Sequence, residues 1–363
     1  VPTGSGPAAD GITFEELQLA ARNHGMPLEG LRYDITPVGM HYLLIHFDIP
    51  FVDADAWTLA IDGEVRTPLT LTLDDVRSRP ASTIAVTMEC AGNGRARLTP
   101  RPISQPWLNE AVGTAEWTGT RLAPILDEAG LTDRAREVVF TGLDRGVQGE
   151  VEQDYQRSLS IDEARRPEVL LVHQINGMPL PPQHGFPLRL LVPGWYGMTQ
   201  VKWLRRITVV AEPFEGYQQA VAYHERATAD EQGTPVTRMQ PRSLMIPPGI
   251  PEFLTRDRIA PLQPHTIQGR AWSGWASITR VEVSTDGGAT WADTVLGEAP
   301  GPFAWRPWTF EWEPPAPGAY ELCSRATDAA GNVQPTEQRW NVEGMSNTMA
   351  QQINVQVTAD GRT

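Results

Sequence analysis

The sequence predicts an α+β domain followed by a β-sandwich of immunoglobulin-like type. Three observations carry this. A chain of 363 residues is long enough for about two domains at roughly 150 residues each. Its 32 glycines and 32 prolines exceed their usual combined share of about 12%, so turns are many and long helices few. The pattern also changes near residue 235, where mixed short elements give way to a period of two. The expected division is therefore 1–236 and 237–363.

In chain order, Val1–Gly11 is small, Gly/Pro-rich and expected to be mobile. Phe14–Asn23 reads as a short helix, because Thr13 and Glu16 have the spacing of a capping box. Strand-like runs follow at His41–Phe47, Trp57–Ile61 and Thr83–Met88. A Pro/Arg-rich loop, Leu98–Pro106, precedes a helix at Leu122–Ala129 that Gly130 ends. Val138–Gly142, Val169–Gln174 and Leu188–Val192 read as further strands. Thr237–Pro264 is Pro-dense and reads as a connector. Beyond it, Val281–Ser284 runs into Asp286-Gly287-Gly288, a hairpin signal. Trp308–Trp312, Tyr320–Ala326 and Ile353–Val357 alternate in the same way. Seven of the 12 tryptophans lie in the last third, enough to give a small sandwich a dense core.

Composition narrows the function. Lys+Arg 30 against Asp+Glu 44 gives a net charge of −14, which argues against nucleic acid or anionic membrane as a partner. Lys202 is the single lysine, so arginine also serves as ordinary surface charge. Two cysteines, Cys90 and Cys323, make no disulfide framework. Apolar runs such as Val169–Val172 fall far short of the ~20 residues of a membrane span. No secretory leader is visible, which favours a cytoplasmic over a periplasmic location, although a start at Val1 is compatible with a leader already removed. Gly92-Asn93-Gly94 begins like a dinucleotide fingerprint, but Arg97 stands where the third glycine belongs. His41 and His46 fall on opposite faces of a strand-like run, so a shared metal is not expected. Asp74 and Asp75 read as acidic residues opening a short helix.

Three segments are polar where folding alone would not require it. They are Arg22-Asn23-His24-Gly25-Met26-Pro27, Thr87–Arg95 with its Cys90-Ala91-Gly92-Asn93, and His184-Gly185-Phe186-Pro187-Leu188-Arg189 continuing to Lys202. Cys90 ends a strand ahead of a Gly-rich turn, so its sulfur can stand at the mouth of that turn. A thiolate is a soft ligand suited to a redox metal. Flanking Arg22 and Arg95 are expected to lower its pKa and to attract an anion. Cys323, in a sandwich strand, reads as an ordinary buried cysteine.

Together these segments resemble the sulfite oxidase family of molybdopterin-dependent oxidoreductases, in its haem-free bacterial form. The likeness extends through Ala115–Leu122 and Asn176–Pro181 to the family's C-terminal dimerisation domain, near Arg270–Gly274 and Val281–Trp291. It implies one molybdopterin per chain, with Cys90 as the protein's only ligand to molybdenum. It implies that Arg22, Asn23, His24, Asp144, His184, Arg189 and Lys202 hold the pterin and its phosphate, a set whose cations suit a phosphate monoester. It implies a substrate pocket of Arg22, Arg95, Trp107 and Tyr223. It further implies no haem in this chain, an external electron acceptor such as a cytochrome, and a homodimer.

One position departs from the resemblance. Sulfite oxidases commonly carry an arginine in the last Trp-Asn-x-x-Gly stretch, and here that stretch is Trp340-Asn341-Val342-Glu343-Gly344. A carboxylate beside an anion site is unfavourable. Three readings stay open: oxidation of sulfite to sulfate, reduction of nitrate or a sulfoxide on the same fold, and a non-catalytic two-domain binding protein with a structural Cys90.

Overall fold

Thr13 opens the first helix, Phe14–Arg22, with both halves of the capping box in place. Its hydroxyl accepts from Glu16 N at 3.2 Å, and its own N–H donates to the Glu16 carboxylate at 2.8 Å. The helix at Leu122–Ala129 ends, as its sequence predicts, at Gly130 in a positive-φ conformation. A computed structural model describes residues 11–360, so all but the last residue of the Gly/Pro-rich leading segment lies outside the described residues.

Among the described residues ten strands build the first part: β1 (Thr58–Gly63), β2 (Leu69–Thr72), β3 (Ala81–Glu89), β4 (Val112–Arg121), β5 (Glu137–Gln148), β6 (Val151–Ser160), β7 (Leu170–Ile175), β8 (Met178–Pro179), β9 (Arg189–Leu191) and β10 (Leu204–Val210). One sheet has the order β2-β1-β10-β5-β6, with β1 and β10 parallel. The other runs β3-β4-β7-β8, with β9 on β7. Leu59, Ile61, Phe140 and Ile207 of the first sheet share a core with Leu122 and Leu126 of the helix and with Leu171 and Leu190 of the second sheet. The two sheets are thereby fixed relative to each other.

After a short ribbon, β11 (His224–Glu225) with β12 (Thr234–Pro235), the second part follows: β13 (Arg242–Met245), β14 (Ile250–Pro251), β15 (Arg258–Pro261), β16 (His265–Trp272), β17 (Ile278–Ser284), β18 (Ala292–Asp293), β19 (Val295–Leu296), β20 (Arg306–Trp312), β21 (Gly318–Asp328) and β22 (Gln351–Thr358). They form two sheets, β13-β16-β20-β19 and β14-β15-β22-β21-β17-β18. This is the immunoglobulin-like sandwich that the alternating pattern predicts. Among the described residues strands predominate and helices are short, so the α+β expectation leans strongly toward β.

Three expectations need correction. His41–Phe47 is not a strand, because its only ladder contact is the bridge between Leu43 and His24, and Ile45 N bonds the Asn23 side chain instead. Thr237–Pro264 is not a connector, since β13, β14 and β15 within it belong to the sandwich. The late tryptophans also divide their work. Trp308 and Trp312 fill the sandwich core, whereas Trp272 and Trp305 enter a core shared with Met26, Ala91 and Tyr223 of the first part. Two more, Trp275 and Trp340, are exposed.

Candidate active site

Cys90 follows directly on β3, where the chain turns. Its N–H donates to Ala111 O at 2.9 Å, and its carbonyl accepts from Asn93 N at 3.0 Å. Asn93, fully buried, holds the turn with its side chain: the amide donates to Glu89 Oε1 at 3.0 Å and to Asn109 O at 3.1 Å, and its oxygen accepts from Ala111 N at 3.1 Å. Gly92 has a steric reason to be glycine, since a Cβ there would fall 2.6 Å from Arg95 Nη1. The turn thus seats a guanidinium beside the thiol. Arg95 is buried, donating from Nε to Glu343 O at 3.0 Å and from Nη1 to Gln105 O at 3.1 Å.

The thiol opens into a cleft. Its walls come from the His41–His46 segment, Met88 on β3, Asp144 on β5, Tyr155 on β6, the His184–Arg189 turn, the Gly197–Lys202 loop and Tyr223. Arg189 donates to His184 O at 3.0 Å and Gln200 O at 3.1 Å, and its guanidinium lies 4.9 Å from the centre of a Trp117 ring. Lys202 Nζ donates to Leu44 O at 2.7 Å and Gln183 O at 3.2 Å. Gly185, at φ +105°, lets the backbones that carry His184, Arg189 and Lys202 close on one another.

Electrostatics in this cleft are dominated by burial. Burial holds His184 down to about 2, helped by the charges of His41, Arg189 and Lys202. His41 and His46 are held down to about 4, and Arg189 to about 10, for the same first reason. Lys202 is pushed down and Asp144 up, each by burial and each partly restored by the other's charge. Burial also raises the Cys90 thiol, against the lowering effects of Arg95 and of the Trp107 indole. The expectation that flanking arginines leave this cysteine with a lowered pKa is therefore corrected for the protein without metal. Tyr223 is raised to about 12, by burial and by Cys90.

Two family models match the chain: an oxidoreductase molybdopterin binding domain over residues 46–218 and a Mo-co oxidoreductase dimerisation domain over 234–358. The chain is 34% identical to mitochondrial sulfite oxidase of Mus musculus, over 89% of this chain and 62% of that one. It is 33% identical to a nitrate reductase [NAD(P)H] of Hordeum vulgare, over 89% of this chain and 39% of that one. The crystal structure of the sulfane dehydrogenase SoxCD from Paracoccus pantotrophus superposes with a TM-score of 0.81 at 25% identity, covering 98% of this chain and 94% of that chain. The chain belongs to the sulfite oxidase family of molybdopterin-dependent oxidoreductases.

The site suits the cofactor of that family. Among the described residues no group of three His, Cys, Asp or Glu could hold a metal ion, so a metal at Cys90 must bring most of its own ligands, as a dithiolene does. Three polar atoms on the cleft wall are buried without partners: His41 Nε2, Asp144 Oδ1 and Arg189 Nε. Buried polar groups are normally satisfied, and a pterin offers both donors and acceptors to such atoms.

Of the residues marked in the sequence, Cys90, Asp144, His184, Arg189, Lys202 and Tyr223 line the cleft together. Arg95 stands beside Cys90, and Trp107 is buried in the same apolar cluster as Cys90, without lining the cleft. Arg22 is exposed at the end of the first helix, its charge felt by His46 in the wall. His24 is exposed too, bridged to Leu43. Asn23 is buried and occupied elsewhere, donating to Gln105 Oε1 at 2.8 Å and accepting from Ile45 N at 2.6 Å. Sequence reasoning missed His41, Tyr42, His46 and Tyr155 as cleft residues; reading His41–Phe47 as a strand had separated the two histidines. Glu343 lies next to Arg95 through its main-chain carbonyl, while its carboxylate pairs with Arg226 Nη1 at 3.6 Å. That pairing relieves the unfavourable charge that the sequence suggests.

Proposed function

We propose that this chain oxidises sulfite to sulfate and passes two electrons to an external acceptor, such as a cytochrome. The observation that carries this reading is the juxtaposition of the buried Cys90 thiol with Arg95, at a cleft whose wall sets Arg189 and Lys202 against one carboxylate, Asp144. His184, Arg189 and Lys202 would hold the pterin's phosphate, Lys202 as a point charge and Arg189 as a fork. Asp144 would accept from a donor on the pterin, and Cys90 would ligate molybdenum. When bound, the molybdopterin supplies two-electron redox and oxygen-atom transfer. The chain's own residues bind, orient and exclude water. Arg95 places a positive charge where an oxyanion approaches Cys90. Tyr223 remains a protonated phenol at neutral pH and offers a hydroxyl there, and Trp107 packs a dry wall behind the sulfur.

The match to a dimerisation domain supports a homodimer. Among the described residues no helix is long and apolar enough to cross a membrane. Sulfite oxidases and nitrate reductases match this chain at nearly the same identity, so the preference for sulfur chemistry rests on the sulfane dehydrogenase, whose structure superposes over 98% of this chain. The test is steady-state turnover of holoprotein with sulfite and an artificial acceptor, beside nitrate and methionine sulfoxide with a reduced dye. We expect sulfite turnover, and no turnover in Cys90→Ser, which should keep its circular dichroism but lose the metal-linked visible absorption. A Cys90→Ser variant with undiminished molybdenum and activity would remove the reading.

A further inference from the structure

Arg157 is a cation that the cleft as described does not use. It lies on β6 two residues after Tyr155, hence on the same face of the strand, and only 1% of it is exposed. Buried arginines away from the cleft have carboxylates, Arg242 with Glu89, Arg258 with Glu29 and Arg270 with Asp34, whereas Arg95 and Arg189 at the site donate to main-chain carbonyls. Among the described residues no carboxylate lies within 4.0 Å of Arg157, its Nε has no partner, and its Nη1 donates to the carbonyl of Gln218. Its guanidinium carbon is 5.5 Å from the centre of the Tyr223 ring. Tyr155 donates its hydroxyl to Met198 O at 2.7 Å, and Tyr155 and Tyr223 both line the cleft with Cys90. Tyr223 therefore stands in the field of two buried guanidiniums, Arg95 and Arg157. An unpaired buried cation is costly to keep, and an anion arriving in the chamber in front of these phenols would offset that cost.

We propose that Arg157 is a positioning residue for the substrate anion, whose charge, acting through Tyr223, holds a sulfur oxyanion in the cleft beside Cys90. This rests on the reading of the site as one for sulfur oxyanions, and it adds the residue that sets its affinity. A purely structural role is the rival, because Arg157 also staples the helical turn Gln218–Ala222 that leads into Tyr223. Charge and staple separate by substitution. Arg157→Gln keeps a donor for the Gln218 carbonyl and loses the charge, and Arg157→Lys keeps the charge on a different head group.

The experiment measures sulfate binding to holoenzyme by titration calorimetry, with KM and kcat for sulfite and the molybdenum and pterin contents alongside. Arg157→Gln should weaken sulfate binding at least tenfold and raise KM more than it lowers kcat, with cofactor content unchanged. Arg157→Lys should stay within about threefold of the parent. Sulfate binding that Arg157→Gln leaves intact, equal loss in both variants, or a parent enzyme that binds no sulfate would each overturn the proposal. A parent that binds sulfate in this charge-dependent way but does not oxidise sulfite would overturn the substrate assignment and leave Arg157 in its role.

Discussion

Gly185 shows how far the cation pocket depends on a missing methyl group. A Cβ at this position would lie 3.0 Å from Lys202 Cβ and 3.2 Å from Arg189 Cβ. Gly177 has a positive φ too, but nothing lies within 4 Å of its would-be Cβ. Alanine at either position meets backbone strain of roughly 1–3 kcal/mol, and only at Gly185 does it also push the two cations apart. Gly185→Ala is therefore expected to lower pterin content and to destabilise more than Gly177→Ala, which should keep its pterin. Urea midpoints and the fluorescence of released pterin measure both, and equal pterin contents would refute the packing argument. The histidines of the same cleft make stability depend on pH. His41 and His46 sit near 4 and His184 near 2 in the folded chain, while an unfolded histidine titrates near 6.5 (roughly the free value). Between those limits the unfolded chain binds more protons, so stability falls as pH drops through about 6.5 toward 4. Each histidine contributes up to roughly 1.4 kcal/mol per pH unit in that window. A pterin phosphate beside His184 favours its protonated form, so holoprotein should show a shallower slope than apoprotein. Denaturation midpoints of both forms at pH 7 and pH 5 check this, and parallel slopes would count against a phosphate at His184.

At the level of elements, legibility followed the regularity of the pattern. The helices at Phe14 and Leu122 were readable because a capping box and a terminal glycine are local chemistry. β17 and its Asp-Gly-Gly turn were readable because one face meets the sandwich core and the other does not. β4 was hidden: Gly, Thr and Ala residues buried on both faces leave no alternation to see. β6 was hidden for the opposite reason. Its run VEQDYQRSLS looks like a polar loop, yet Tyr155 and Arg157 turn inward to the site. The Cys90 turn and the His184–Lys202 cluster were legible as motifs, since reactive residue types at fixed spacing survive without any periodicity. The His41–His46 wall was not, because its irregular backbone is held by Asn23 rather than by a ladder. Hydrophobic pattern finds cores; it does not find a segment whose hydrogen bonds go to side chains.

For the whole molecule, the sandwich does more than sit beside the site. Arg242, the first residue of β13, reaches across to Glu89 at 2.7 Å, and both side chains are at most 1% exposed. Trp272 Nε1 donates to the other carboxylate oxygen at 2.8 Å. Arg242 also donates to the carbonyls of Asn93 and Asn347, so one guanidinium ties the turn that carries Cys90 to the second domain and to the segment leading into β22. Around it, Met26, Ala91, Tyr223, Leu244, Trp272, Trp305 and Met345 form a core that belongs to neither part alone. Removing one partner of a buried pair strands the other, at a cost of about 3–5 kcal/mol. Arg242→Met is therefore expected to destabilise by that amount and to loosen the Cys90 turn enough to lower molybdenum content. Glu89→Gln combined with Arg242→Met leaves no stranded charge, and should be less destabilised than the two single changes summed. The parent should unfold in one calorimetric transition, and Arg242→Met should split it as the domains lose their shared core. If Arg242→Met instead keeps full metal and unfolds within 1 kcal/mol of the parent (roughly the scale of a surface pair), the sandwich is only an appendage, and the Cys90 turn must be held by Asn93 and its neighbours alone.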